Sequence, residues 1–431
     1  MKKGVILWVL LGLTVPGLKA DNAFPFEFFE KMQQATNENI VVSPFSMEQA
    51  IGMAANGALD ATLPPLLDLT GDESLAALNQ RNQVMAELLT RYQDDTLTSI
   101  LVANSVWHMP NLSLLEPFRD SVVTRYNAYI DTADFATQNG VDAVDKWVSD
   151  NTKELIPYIY GKPNPNIIVS LINATLFRGT WDWDLNVELA AKEPFLNADG
   201  TGTNVDMVSI FPHNQSRLYM DEDLVAFDAS FMESDYSNGY HALFILPRDY
   251  DRMVPLTAER WSNLLMHKYN QGVRVRIPKF DVACREEMLP TLMEMGAFIP
   301  NDFGGVAPAA YVQSIIHSTR MTLDENGMSA AAVTAITMYA IGMPYDGPRV
   351  DLVFNRPFYV AIMAYGSDEP IFLAKITNLE GSACEAPTPN HISLGIDNQQ
   401  ESVTPTKYLR DGQLLIQAQQ GIYTATGQKI Q

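Results

Sequence analysis

The segment Asp324-Glu325-Asn326-Gly327-Met328-Ser329-Ala330-Ala331-Ala332-Val333-Thr334-Ala335-Ile336-Thr337 constrains the fold of this chain more than any other. A glycine hinge opens onto a run of small and β-branched residues, directly after a strand-like stretch from Ile315 to Leu323. Helix propensity alone would make the run a short alanine-rich helix. Val333, Thr334, Ile336 and Thr337 prefer strands instead. Small side chains are also what a segment needs if it must slide between two strands already packed together. Composition leaves both readings open.

The chain has 431 residues, 47% hydrophobic and 19% charged. A chain of this size buries about three quarters of its unfolded surface, which excludes disorder for the bulk. Met1-Lys2-Lys3, the apolar stretch Gly4 to Leu18 broken at Pro16-Gly17, and Lys19-Ala20 read as a secretory signal peptide over residues 1–20. The stretch is short for a spanning helix, so no transmembrane segment is expected. No cysteine follows it, which excludes a lipoprotein anchor at this end. Without the leader, 26 bases face 51 acids, a net charge of −25. A nucleic acid or other polyanion is therefore excluded as a partner, and solubility is the plain reason for such acidity. Export would permit a disulfide between Cys284 and Cys384, adding about 4 to 5 kcal/mol by closing a loop of about a hundred residues. Two separately buried free thiols are the alternative. Neither thiol has a histidine nearby in sequence to lower its pKa.

Leu75, Leu78, Met85, Leu88 and Leu89 recur at helical spacing after the capping candidates Asp72 and Ser74, predicting a helix from Ser74 to Tyr92. A second helix is predicted over Val141 to Tyr158, with Val144, Val148, Leu155 and Ile156 inward. Strand signals then take over: Ile167 to Phe177 is almost continuously apolar, and Val273, Val275 and Ile277 alternate with Arg274 and Arg276. Phe358 to Tyr365 and Ile371 to Ile376 read as a buried hairpin. Helices first and strands later indicate an α+β fold. Cys384 to Lys407 turns polar and proline-rich, as a linker does.

The six histidines, at positions 108, 213, 241, 267, 317 and 391, never stand four apart. No paired Cys-x-x-Cys, phosphate loop or Gly-x-Ser-x-Gly elbow occurs, so a metal or nucleotide enzyme is disfavoured. No cofactor is expected.

Five motifs appear in order. Asn39-Ile40-Val41-Val42-Ser43-Pro44-Phe45-Ser46, followed by Ala50, Met53 and Gly57, is the first. Leu171-Ile172-Asn173-Ala174-Thr175-Leu176-Phe177-Arg178-Gly179-Thr180-Trp181 is the second, and Ile277-Pro278-Lys279-Phe280 the third. The glycine hinge and Phe354-Asn355-Arg356-Pro357-Phe358 complete the set. Together they resemble the serpin family over roughly residues 25 to 380. The resemblance implies a serpin domain over residues 21–382, with three β-sheets, about eight to nine helices and an exposed reactive-centre loop near 327–353. In inhibitory members a protease attacks this loop and forms an acyl-enzyme. The cut loop then enters the large sheet as a new strand and distorts the enzyme before it deacylates, an insertion used as a standard example of strand addition and stored strain. Such a protein is an inhibitor and not an enzyme; it supplies a bait and a metastable fold.

By the same resemblance, Glu325, Gly327, Met328, Ala330, Ala331, Ala332 and Thr334 form the hinge. Ser43, Ser46, Asn173 and His317 form the polar shutter beneath the opening point, and Trp181 lies at the breach where the loop enters. Met328 replaces a small serine or threonine, and the loop is longer than usual. Family spacing from Glu325 places the reactive bond at Ile341-Gly342, with Tyr339, Ala340 and Met343 as alternatives. All are apolar or aromatic, which implies elastase-, subtilisin-, chymotrypsin- or papain-like target proteases and a monomeric inhibitor. The runner-up is a non-inhibitory serpin acting as a binding or chaperone-like protein. The tail, residues 407–431, resembles the end of C-terminal sorting signals of Bacteroidetes-type bacteria, with a disordered extension as the plain alternative. A linker over 383–406 would precede it. The resemblances imply a bacterial, secreted protein at the surface or in the medium, or in the periplasm if the tail is no sorting signal.

Overall fold

The computed structural model describes residues 23–90, 97–232, 239–249, 253–299, 301–308, 310–312, 314–328 and 345–387, together with the backbone of tail strands 406–410, 413–418 and 421–424. The chain divides into two compact units, Met1–Pro389 and Asn390–Gln431. Eight α-helices occur among the described residues.

The predicted helix near Ser74 is Leu75–Thr90, with Leu78, Met85 and Leu89 buried. The Ser74 hydroxyl accepts from the Ala77 amide at 3.2 Å and so caps it, whereas Asp72 is engaged by Arg81. The second predicted helix is shorter than its apolar pattern suggested, running from Gln138 to Asn151. Thr152 turns its hydroxyl back onto the Val148 carbonyl, and Lys153 and Glu154 take left-handed backbone angles that end the helix. Leu155 and Ile156 are still buried, but from the loop that follows.

A six-stranded sheet runs in the order Phe280–Glu287, Ile316–Asp324, Gly327–Met328, Val169–Thr180, Thr98–His108 and Tyr129–Thr132. His317, Thr319, Met321 and Leu323 alternate inward along Ile316–Asp324. The remaining strands of this unit form two pairing fields that share Lys268–Pro278. Its first half pairs with Ser216–Met220, and its second half with Gly202–Ile210 on one side and, in parallel, with Arg349–Val353 on the other. The predicted alternation holds here: Val273, Val275 and Ile277 are buried and Arg274 is exposed. The hairpin Phe358–Ala364 with Pro370–Ile376 is buried along its full length and lies in the first field between Ile40–Val42 and Tyr240–Pro247. The fold is therefore α+β with the three sheets expected of this unit.

The helix Pro44–Ala55 is buried over nearly its whole length, Glu48 and Gln49 included. Glu48 survives burial because Arg81 holds it at 2.6 Å. Of the two alternatives for Cys284 and Cys384, the structure has the free thiols and no disulfide. Cys284 lies on Phe280–Glu287 of the six-stranded sheet, where its thiol accepts from the Val41 amide at 3.2 Å and faces the Asn39 carbonyl. Cys384 ends the strand Ser382–Cys384, paired with Gly202–Asn204 in the other field. Both thiols are free. The tail unit is a three-stranded antiparallel sheet, Thr406–Arg410, Gln413–Ala418 and Gly421–Thr424. No helix among the described residues is long and apolar enough to cross a membrane.

Candidate functional site

Two neighbouring strands of the six-stranded sheet, Val169–Thr180 and Ile316–Asp324, have no direct pairing among the described residues. At one end Gly327–Met328 fills the space between them: Gly327 pairs with Asp324 and Thr180, and Met328 with Leu323 and Gly179. The chain reverses over Glu325-Asn326 to get there. Asp324 shapes that turn, its carboxylate accepting from the amides of Asn326 at 2.7 Å and Gly327 at 3.2 Å. Trp181 closes it from the other side. Its indole N–H donates to the Asp324 carbonyl at 2.9 Å, its backbone amide donates to the Asn326 carbonyl, and its ring stacks on Phe231 with centroids 5.2 Å apart. Lys279 holds Glu325 at 2.7 Å; this pairing lowers the Glu325 pKa and raises that of Lys279.

Gly327 has no room for a side chain, since a Cβ would collide with the Gly179 carbonyl. Met328 is 1% exposed. It is paired across from Gly179, which contributes no side chain of its own to the face they share.

Beneath this entry, Ser43, Ser46, Asn173 and His317 lie together. Ser43 is the N-cap of Pro44–Ala55, its hydroxyl accepting from the Ser46 amide and donating to the Ile371 carbonyl at 2.9 Å. The Ser43 amide donates to His317 Nε2 at 3.0 Å, which fixes that nitrogen as an acceptor. Burial pushes the His317 pKa down from an ordinary 6.5 to about 4. The Ser46 hydroxyl donates to the Asn173 side-chain oxygen, which also accepts from Thr175 at 2.9 Å. Asn173 in turn donates to Asn104 at 2.7 Å, and Asn104 to the Tyr126 carbonyl.

Sequence reading missed Asn104, Thr175, Lys279 and the Asp324 turn. Asn104 lies directly across the sheet from Asn173, and only strand register, which one chain does not print, could have revealed it. The same holds for Thr319, whose hydroxyl donates to the Val41 carbonyl at 2.6 Å. Ala330, Ala331, Ala332 and Thr334 of the expected hinge lie outside the described residues. So do Tyr339, Ala340, Ile341, Gly342 and Met343.

Downstream of them, Arg349 is fixed on several sides. Its guanidinium lies 4.0 Å over the Phe211 ring and donates to the carbonyls of Pro212, Val273 and Tyr345. The residues from Arg349 to Val353 are thus a sheet strand, so the described parts of the expected loop at 327–353 are strand at both ends. Among the described residues no group of three or more metal-ligating side chains is assembled.

A sheet that takes a segment of its own chain between two central strands, over a hydrogen-bonded polar cluster, defines a strand-accepting α+β fold. The chain belongs to the serpin family: the family model described as "Serpin (serine protease inhibitor)" matches residues 19–379. Serpins are generally protease inhibitors and not enzymes. Iripin-4 of Ixodes ricinus is 26% identical over 383 residues, covering 84% of this chain and 94% of the relative. Putative serpin-Z12 of Oryza sativa subsp. japonica is 27% identical, covering 79% and 85%. Among solved structures, the thermophilic serpin tengpin in its native state matches with a TM-score of 0.70 at 27% identity, covering 83% of this chain and 92% of that one.

Proposed function

We propose that the protein is a secreted suicide-substrate inhibitor of serine or cysteine endopeptidases, trapping the acyl-enzyme by inserting its cleaved reactive loop into the six-stranded sheet. The observation that carries this reading is the pairing of Gly327–Met328 with both flanking strands. On this reading that pairing is the first step of insertion, and the edges beyond it, along Val169–Thr180 and Ile316–Asp324, are not paired to each other among the described residues. Ala330, Ala331, Ala332 and Thr334 follow in sequence with no charge or proline to stop continuation.

The reactive bond is Ile341-Gly342, with Tyr339, Ala340 and Met343 as neighbouring choices. The targets cut after apolar or aromatic residues, as elastase-, subtilisin-, chymotrypsin- and papain-like enzymes do. The inhibitor acts as a monomer outside the bacterial cell, delivered by the leader of residues 1–20 and sorted through the tail of residues 407–431. The non-inhibitory alternative leaned on Met328 and the long loop; Met328 is fully housed within the sheet, so its length is no obstacle at that step.

The test is incubation of residues 21–404 with elastase, subtilisin, chymotrypsin, papain and trypsin, followed by denaturing gels and mass analysis of the released C-terminal peptide. A complex that survives denaturation, with a cut at or beside Ile341, is the expected outcome. Cleavage by every enzyme with no complex rejects inhibition, and cutting only after lysine or arginine rejects the target class. Ala330→Arg is expected to turn inhibitor into substrate, because insertion would bury an unpaired charge at a cost of several kcal/mol, on the order of 3 to 5.

A further inference from the structure

Away from the strand-entry site, a cleft is built round a lysine that has no hydrogen-bond or ion-pair partner among the described residues. Lys375 lies on Pro370–Ile376 with Ile40 across from it on one side and Tyr359 on the other, and it is 8% exposed. Its ammonium makes no hydrogen bond or ion pair among the described residues, although Asn197 and Thr377 line the same cavity. Burial alone lowers its pKa, with no neighbouring charge acting on it. In a chain with 51 acids and 29 bases, a lysine largely buried along its stem, its ammonium opening into a cleft without a carboxylate among the described residues, is unexpected. Buried charges are otherwise paired, because desolvation without compensation is costly.

Lys375 lines a cavity of about 340 Å³ that it shares with a second cation, Arg356, and with an apolar wall that includes Leu196, Met253 and Pro357. The Arg356 guanidinium is held in place by donation to the Pro247 carbonyl at 2.6 Å. The side chain of Asn37 stands exposed at the rim. Ligand sites combine a mostly apolar cavity with a few placed polar groups, and this volume stands at the lower end of their size range. One uncommitted ammonium suits a single negative charge, and the apolar wall suits a hydrocarbon body and not a second charged group.

We propose that this cleft binds a small organic carboxylate, its charged end on Lys375 and its apolar body against Leu196, Met253 and Pro357. The anion supplies the partner that Lys375 lacks among the described residues. The site is separate from the hinge and does not depend on whether the protein inhibits proteases.

The experiment is calorimetric titration of the full chain with octanoate at neutral pH, with octanamide and inorganic phosphate as comparators. Single-site, saturable octanoate binding is expected, together with a higher melting temperature. Octanamide, phosphate and the variant Lys375→Met should each bind about tenfold or more weakly. Lys375→Met should keep or raise the melting temperature of the free protein, since it replaces an unpaired cation by an apolar side chain of similar length. Leu196→Trp, which fills the apolar side and leaves the lysine in place, should abolish binding and serves as the deciding variant if Lys375→Met does not fold. Absence of saturable octanoate binding at millimolar concentration overturns the proposal. So does unchanged affinity in either folded variant, or phosphate binding as tightly as octanoate.

Discussion

Gly327 meets Thr180 across the sheet and passes so close to Gly179 that a single added Cβ would strike the Gly179 carbonyl oxygen. The entry point is shaped to backbone and not to side chains. Gly327→Val should therefore expel the hinge from the sheet. Strain of about 1 to 3 kcal/mol would lower the yield of denaturation-resistant complex by roughly tenfold to a hundredfold, with the cleaved inhibitor accumulating instead. Densitometry of complex against cleaved product measures this ratio, and an unchanged ratio refutes the steric account.

Met328 gives the matching test for its own pocket. Met328→Thr keeps a side chain that the sheet can house and should leave complex formation within about threefold of the parent, whereas Met328→Asp buries a carboxylate without a partner and should abolish it. Both variants are read on the same gels.

The indole of Trp181 donates to the Asp324 carbonyl behind the turn. Trp181→Phe retains an aromatic ring to stack on Phe231 and removes this one hydrogen bond, worth about 1 kcal/mol. Amide exchange at Asn326 and Gly327 should quicken by about fivefold, while exchange in the hairpin Phe358–Ala364 with Pro370–Ile376 stays as it was.

His317 sets a pH dependence with a definite sign. The folded state needs Nε2 unprotonated to accept the Ser43 amide, and the folded pKa of about 4 lies below the ordinary 6.5 of an unfolded chain. The unfolded chain therefore binds the proton more readily. The stability that goes with neutral His317 is complete above pH 6.5, declines as pH falls, and is lost below about pH 4. The interval corresponds to about 3 kcal/mol. Urea midpoints taken from pH 7.5 to pH 4 should fall along this course, and His317→Gln, which keeps an acceptor but no titrating group, should flatten it.

Lys279 and Glu325 are each about one third exposed, so water and salt screen their attraction. A double-mutant cycle on the pair should return less than about 1 kcal/mol of coupling. Half-molar salt should shrink it further. Lys279→Glu places two carboxylates together and should weaken the hinge, and adding Glu325→Lys should restore it.

Much of this site was legible in the sequence because its residues carry chemistry in short local runs. Ser43 and Ser46 stand three apart at a helix start, and the glycine ahead of the alanine run marks the residues that enter the sheet, Gly327 and Met328. His317 could be singled out only through family resemblance, since a lone histidine in a strand is ordinarily core. What stayed hidden depends on contacts across the sheet. Asn104 is brought opposite Asn173 by register, and Lys279 is brought to Glu325 by the strand end beside the turn after Asp324; the order of residues along one chain discloses neither. The helix that stops at Asn151 and not Tyr158 failed for a different reason. Leu155 and Ile156 continue the apolar spacing, but Lys153 and Glu154 adopt backbone angles that no periodicity reports.

The far end of the loop carries a consequence of its own. Arg349 is gripped by an aromatic ring and three carbonyls, and Arg349–Val353 is zipped in parallel to Gly272–Arg276. The described chain is thus held in strands on both sides of residues 329–344. If the loop enters the sheet as proposed above, each residue drawn in behind Met328 of an uncut chain would pull against the Arg349 mooring, and a cut between the two would remove that pull. On that reading the lifetime of the intact protein would be governed at Arg349, far along the chain from Gly327.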